Sequence, residues 1–346
     1  MTAGELRIAV VGAGANGAAI AAGLVQAGRQ PIVVDQWPEN VEAIRRDGVL
    51  VRTVAGERRT SLDIHHLCDV ATLRGLFDVV LLVVKTYDTR WACELIAPML
   101  SPAGVVVGIQ NGMTMDTVAD VVGPERSIGA VIEVAANMYE PGIVNQQAPF
   151  WFAVGAADQS ACAALVGVES LLSDVGATTR SDDIRSSKWM KLVANAAELG
   201  TSAICGLPLG TTVEMPGMRG AMVTAGREAM TVAIASGARL MPVFGFEPAD
   251  GLNAAEGLLD RVLTDYTLPD TRTTVLQDWD KGRRAEVDDI NGFVVRQARD
   301  SRIDVPMNRR IAALAREIES GVRRPSTRNA VELVAGLATD SPHGER

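Results

Sequence analysis

The feature that most constrains this chain lies near its start. There the apolar run Leu6 to Val11 leads into the hexapeptide GAGANG, Gly12 to Gly17, and then into an alanine-rich segment. A short, solidly apolar run predicts a strand buried on both faces of a parallel sheet. Glycines at the first, third and sixth positions let the backbone turn tightly and come close to a pyrophosphate. That group would rest on the unpaired N–H groups that open the following helix. The helix is expected over Ala18 to Ala27, with its stop at Gly28. Gly12, Gly14, Ala15, Asn16 and Gly17 are therefore the candidate dinucleotide loop.

A second strand, PIVVD, ends at Asp35. A carboxylate there accepts hydrogen bonds from the adenosine ribose and repels a 2′-phosphate, so it favours NADH over NADPH. A solvated strand-end aspartate is the alternative. Two more apolar runs, Phe77 to Val84 and Gly104 to Ile109, continue the strand–helix alternation. That rhythm predicts a doubly wound parallel sheet, a Rossmann-type α/β domain. Lys85 follows one of these strands and Asn111 the other, at the carboxyl ends where open α/β sheets bind ligands. Lys85 could reach a cofactor phosphate or a substrate carboxylate, and Asn111 could orient a nicotinamide; a loop lysine and a turn asparagine remain open alternatives. From Arg126 to Val154, strand-like pieces interrupted by Glu-Pro-Gly suggest an antiparallel extension of the sheet.

After Ser181 the strand signals vanish and helical patterns take over. The expected division is a dinucleotide-binding domain over 1–182, an all-α domain over 183–335 and a frayed tail over 336–346. The stretch from Met241 to Pro269, rich in Gly, Pro and Asp, is expected to hold a long loop. KWMKLVANAAELG, from Lys188 to Gly200, reads as a buried helix with a polar wedge. At 100° per residue Lys191, Asn195 and Glu198 share one face, with Lys188 beside it. A greasy helix with such a wedge must turn it to a ligand or pair it internally. An edge salt bridge between Lys191 and Glu198 is the bland option. Farther on, TTVLQDWDKGRRAEVDDINGF, from Thr273 to Phe293, combines hydroxyls with Glu286 and the Asp288–Asp289 pair.

The formal charge of −9 argues against nucleic-acid or anionic-membrane partners, which need a basic surface. Four scattered cysteines and three histidines suggest neither a disulfide framework nor a metal site. No secretory signal or membrane-spanning run is visible, so a reduced, cytoplasmic setting is expected.

Taken together, GAGANG, VVKT at Lys85, QNGM at Asn111, KWMKLVANAA at Lys191, TVLQDWDKGRRAEVDDINGF and IDVPMNRRI resemble the ketopantoate reductase (2-dehydropantoate 2-reductase) family, over roughly residues 6 to 320. The resemblance implies a Rossmann domain followed by an all-α domain, with the active site in the cleft between them. It implies NAD(P)H-dependent reduction of a 2-oxo acid, ketopantoate by default, with Lys191 as general acid. Asn195, Thr274 and Glu286 would contact substrate or orient that lysine, and Lys85 and Asn111 would lie near the nicotinamide. Leu199 stands where the family commonly carries a second asparagine, which implies a less polar or different 2-oxo acid. Asp35 likewise departs from the family's usual NADPH preference. A dehydrogenase of another 2-hydroxy acid and a non-catalytic NAD(H) sensor are the competing readings. A β-hydroxyacid dehydrogenase, which also pairs Lys with Asn four residues on, leaves the segment around Glu286 unexplained. The partner is a small molecule, and a homodimer is possible.

Overall fold

The structure is a computed structural model described over residues 6–156, 158, 161–248, 251–335 and 337. The tail expected over 336–346 lies, Leu337 excepted, outside the described residues. The chain forms two compact units, Met1–Lys188 and Trp189–Arg346, which divide within one helix.

In the first unit, β1 (Ile8–Val11), α1 (Ala15–Gln26), β2 (Ile32–Asp35), α2 (Pro38–Asp47), β3 (Val49–Thr53), β4 (Gly56–Thr60) and β5 (Asp63–His66) come first. They are followed by β6 (Phe77–Leu82), α3 (Thr89–Ile96), β7 (Leu100–Gly108), α4 (Met115–Val122), β8 (Ser127–Glu133), β9 (Ala136–Glu140) and β10 (Ile143–Gln146). The last elements of the sheets are β11 (Trp151–Ala156) and β12 (Ala177–Arg180), separated by α5 (Cys162–Ser173). An eight-stranded sheet runs in the order β12-β11-β8-β7-β6-β1-β2-β5, and every neighbouring pair is parallel except β8 with β11. The apolar runs are buried as expected: all four residues of β1 lie at or below 2 % exposure.

The parallel-sheet expectation holds, but the segment from Arg126 to Val154 divides differently. β8 adds to β7 in parallel, and only β11 turns antiparallel. The hairpin around Glu140-Pro141-Gly142, β9 and β10, leaves for a second sheet of order β4-β3-β10-β9. That sheet was hidden because β4 reads GERRT, four of whose five residues are exposed, so no apolar alternation marks it. Helix α1 starts three residues earlier than expected and ends one residue earlier, at Gln26, with Gly28 as its stop. Gly28 has φ +87°, and Gly28 and Arg29 donate to the carbonyls of Val25 and Leu24, a Schellman closure.

The second unit is helical. Helix α6 (Ile184–Cys205) enters it, followed by α7 (Leu209–Val213), α8 (Met218–Ala235), α9 (Ala254–Asp265), α10 (Thr274–Asp280), α11 (Val287–Ser301), α12 (Pro306–Glu319) and α13 (Ala330–Ala335). The stretch expected to hold a long loop also contains α9, whose Ala254, Ala255, Leu258, Leu259 and Val262 make a buried stripe at helical spacing. A buried polar chain ties four helices. Asn291 on α11 donates to the Ala196 carbonyl of α6 and to Asn308 Oδ1 at 2.9 Å each. Asn308 on α12 donates to the Ala225 carbonyl of α8 and to Glu228, whose carboxylate accepts the Met307 and Asn308 N–H groups that open α12. This gives INGF and VPMNRR a structural purpose in the fold.

Candidate active site

Strands β1, β2, β6 and β7 are parallel neighbours, so their carboxyl ends share one edge of the sheet. That edge gathers the Gly12–Gly17 loop, Asp35, Lys85 and Asn111. Gly12 has φ +97°, and a Cβ there would lie 2.9 Å from the backbone of Val83 and Val84. A Cβ on Gly17 would lie 1.8 Å from the Gly12 carbonyl oxygen. A Cβ on Gly14, by contrast, meets nothing within 4 Å. The loop is thus closed on the protein side at Gly12 and Gly17 and open at Gly14. A backbone shaped this way at a helix N-terminus fits a pyrophosphate.

Asp35 is only 8 % exposed, and burial raises its pKa above the ordinary carboxyl value against the pull of its hydrogen bonds. Its oxygens accept from the Gln36 N–H at 2.8 Å and from Asn40 Nδ2 at 2.9 Å. The same Asn40 amide donates to the Ala13 carbonyl, and its Oδ1 accepts from the Gly142 N–H. Asn40 therefore fixes the glycine loop and Asp35 relative to each other. Nothing in the sequence marked it, because the role depends on Gly142, a hundred residues away. Lys85 and Asn111 sit half-buried on adjacent loops, and the Thr86 hydroxyl donates to the Asn111 carbonyl at 3.1 Å.

On α6 the polar wedge is buried: Lys188, Lys191, Asn195 and Glu198 are 3, 8, 1 and 4 % exposed. None of the four is a solvated surface residue. Within the second unit, Lys191 Nζ stands 5.6 Å from the centroid of the Phe244 ring. Asn195 Nδ2 is buried and has no hydrogen-bond partner among the described residues, a condition that costs stability unless a ligand relieves it. Leu199 is buried as well, and its carbonyl accepts from the Thr273 hydroxyl at 3.2 Å. Thr274, the next residue, opens α10 and is half-buried. Glu286 is 4 % exposed and is the N-cap residue immediately before α11.

The first unit thus carries a glycine loop shaped to fit a pyrophosphate, and the second a buried lysine one turn from an amide donor with no partner among the described residues. Family models match both units of the chain. Residues 8–159 match ketopantoate reductase PanE/ApbA, and 183–319 match its C-terminal domain. The chain belongs to the ketopantoate reductase family. Membership makes it an NAD(P)-dependent oxidoreductase acting on CH–OH groups. The 2-dehydropantoate 2-reductase of Archaeoglobus fulgidus is 27 % identical over 317 residues, covering 91 % of this chain and 99 % of that one. A ketopantoate reductase of this family from Ralstonia eutropha is 28 % identical with a TM-score of 0.77, covering 91 % of this chain and 99 % of that one. D-mandelate dehydrogenase in complex with NADH and anilino(oxo)acetate shares the fold at a TM-score of 0.82 and 20 % identity, over 92 % of this chain and 99 % of that one. No helix among the described residues is long and apolar enough to cross a membrane.

Within this family member Lys188, which the sequence placed only beside the wedge, has its own task in the first unit. Its Nζ donates to the carbonyls of Gln110 at 3.0 Å and Ala130 at 3.1 Å, clamping the turn that carries Asn111. Burial pushes its pKa down to about 8. A depressed lysine pKa weakens the fold fully below about pH 8, and the penalty fades toward 10.5, because the unfolded chain then binds the extra proton. Relative to Lys188→Met, wild-type unfolding free energy should therefore rise by roughly 3 kcal/mol from pH 8 to 10.5. Urea unfolding across that range measures it, and two parallel curves would contradict it.

Proposed function

We propose that this protein reduces a 2-oxo acid to the 2-hydroxy acid, with NADH as preferred donor and Lys191 as general acid. The observation that carries the proposal is the buried Lys191–Asn195 pair on α6, whose amide donor lacks a protein partner among the described residues. When bound, the nicotinamide supplies a hydride from its C4 to the ketone carbon. The Gly12–Gly17 backbone would hold the pyrophosphate. Asp35 would accept hydrogen bonds from the adenosine ribose hydroxyls. Lys85 and Asn111 would lie near the nicotinamide.

As hydride reaches the carbon, the carbonyl π pair moves onto oxygen. The Lys191 ammonium polarises that carbonyl, stabilises the growing alkoxide and gives it a proton, and the resulting amine is reprotonated from water. Asn195 Nδ2 donates to a substrate oxygen and so loses its isolation. Glu286 and Thr274 contact substrate or orient the lysine. Ketopantoate is the default substrate of the family. Leu199, however, puts an isobutyl group where an asparagine would read a hydroxyl, which favours an apolar side chain on the 2-oxo acid. A sensor of bound NADH has no use for a buried lysine beside an orphaned donor, so that reading has less support.

Initial rates with NADH and NADPH across a panel of 2-oxo acids test this. The expected result is a kcat/KM at least about tenfold higher for apolar 2-oxo acids than for ketopantoate, and higher with NADH than with NADPH. Fast NADPH-dependent reduction of ketopantoate would remove the Leu199 and Asp35 readings while keeping the reaction class. Absence of turnover with every member would favour the sensor.

A further inference from the structure

Phe244 stands out in the second unit on two independent grounds. Its φ is +36°, in a region that L side chains rarely adopt and that is a true outlier for a bulky aromatic. It is also only 1 % exposed, so the strain is not relieved by a free surface loop. The cause is a two-residue turn. Val243 and Phe246 exchange both backbone hydrogen bonds, at 3.1 and 2.7 Å, and Gly245 also has positive φ, +76°. Positive φ at both central positions is the pattern of a type I′ turn, whose first central residue is ordinarily Asn, Asp or Gly. Here that place is held by phenylalanine.

The surroundings hold the ring in one orientation. Tyr266, which follows α9, meets it edge-on, with centroids 6.0 Å apart and planes at 81°. Arg261 Nε, itself paired with Asp265 at 2.9 Å, donates to the Phe244 carbonyl at 3.2 Å. The face of the ring carries the Lys191 ammonium, within the range of a cation–π contact. A residue needed only to fill the core would not have to occupy a costly turn position; a leucine elsewhere would serve. Strain maintained around a charged side chain is a mark of positioning.

We infer that Phe244 is a positioning residue for Lys191: its π face fixes where the ammonium stands and keeps it oriented for proton transfer. The inference rests on the proposal that Lys191 is the general acid. Phe244 itself neither gives nor takes the proton. Its contribution is to reduce the number of places a long, flexible side chain can occupy, and that contribution depends on the negative charge of the ring face. Ring electronics can be changed without changing ring shape.

The test is site-specific replacement of Phe244 by 4-fluoro-, 3,5-difluoro- and pentafluorophenylalanine, in the wild-type background and in Lys191→Ala. Fluorine withdraws π density stepwise and leaves packing nearly unaltered. The expected result is a stepwise fall in kcat, reaching roughly tenfold for the pentafluoro ring, with NADH affinity and melting temperature unchanged. In Lys191→Ala the residual rate should not respond to the series, since the two residues act as a unit. A flat series in the wild-type background, with Lys191→Ala inactive, overturns the role of Phe244 alone. Undiminished turnover in Lys191→Ala overturns both this inference and the general-acid reading.

Discussion

Lys191→Ala should lower kcat by two to four orders of magnitude, the range a positioned general acid contributes. NADH affinity should change by less than about threefold, because the dinucleotide cradle belongs to another unit of the chain. The fold should survive. Lys191 is buried beside Phe244, and an alanine at a helix-interior position has high helix propensity and buries no charge. The combination is therefore diagnostic: a folded protein that binds NADH and scarcely turns over. Stopped-flow oxidation of NADH at saturating substrate reads the rate, and a fluorescence titration reads the affinity. Unchanged kcat would remove Lys191 from the mechanism.

Gly17→Ala should have an effect of similar size through a different cause. Its Cβ would fall 1.8 Å from the Gly12 carbonyl oxygen, so the loop must open or α1 must move. NADH binding should weaken about a hundredfold, roughly 3 kcal/mol, and the first unit should melt earlier. Gly14→Ala separates cofactor contact from folding. A Cβ there meets no protein atom within 4 Å and Gly14 has an ordinary φ of −64°, so the melting temperature should hold. NADH should still bind more weakly, because the methyl group occupies the side left open for the pyrophosphate. Calorimetry with and without NADH distinguishes the two variants. If Gly14→Ala binds NADH as wild type does, the open side of the loop is not the phosphate side.

What could be read from the sequence was whatever is encoded locally. The four apolar strands at the centre of the main sheet, the glycine loop and the end of α1 at Gly28 each follow from composition and spacing within a dozen residues. So did the polar wedge on α6, because four buried polar groups at helical spacing cannot be an accident of surface composition. Features that depend on distant partners stayed hidden. Strand β4 is polar and exists because β3 pairs with it. Asn40 looks like a helix residue until Gly142 and Ala13 meet it. Lys188 looked like a flank of the wedge and clamps two carbonyls of the first unit instead. Phe244 was one aromatic residue in a stretch expected to be a loop, and only its positive φ and the ammonium over its ring single it out. Asn308 lay within a motif whose physical task, holding α8 and α11 to the start of α12, no spacing rule reveals.

The most direct measurement of the central claim follows a labelled hydrogen. Purified protein is given NADH deuterated at nicotinamide C4 and a 2-oxo acid with an apolar side chain, and the product is read by proton NMR. The account predicts a 2-hydroxy acid carrying deuterium on C2, formed by wild type and at least a hundredfold more slowly by Lys191→Ala. Tight NADH binding with no label transferred to any 2-oxo acid would contradict it.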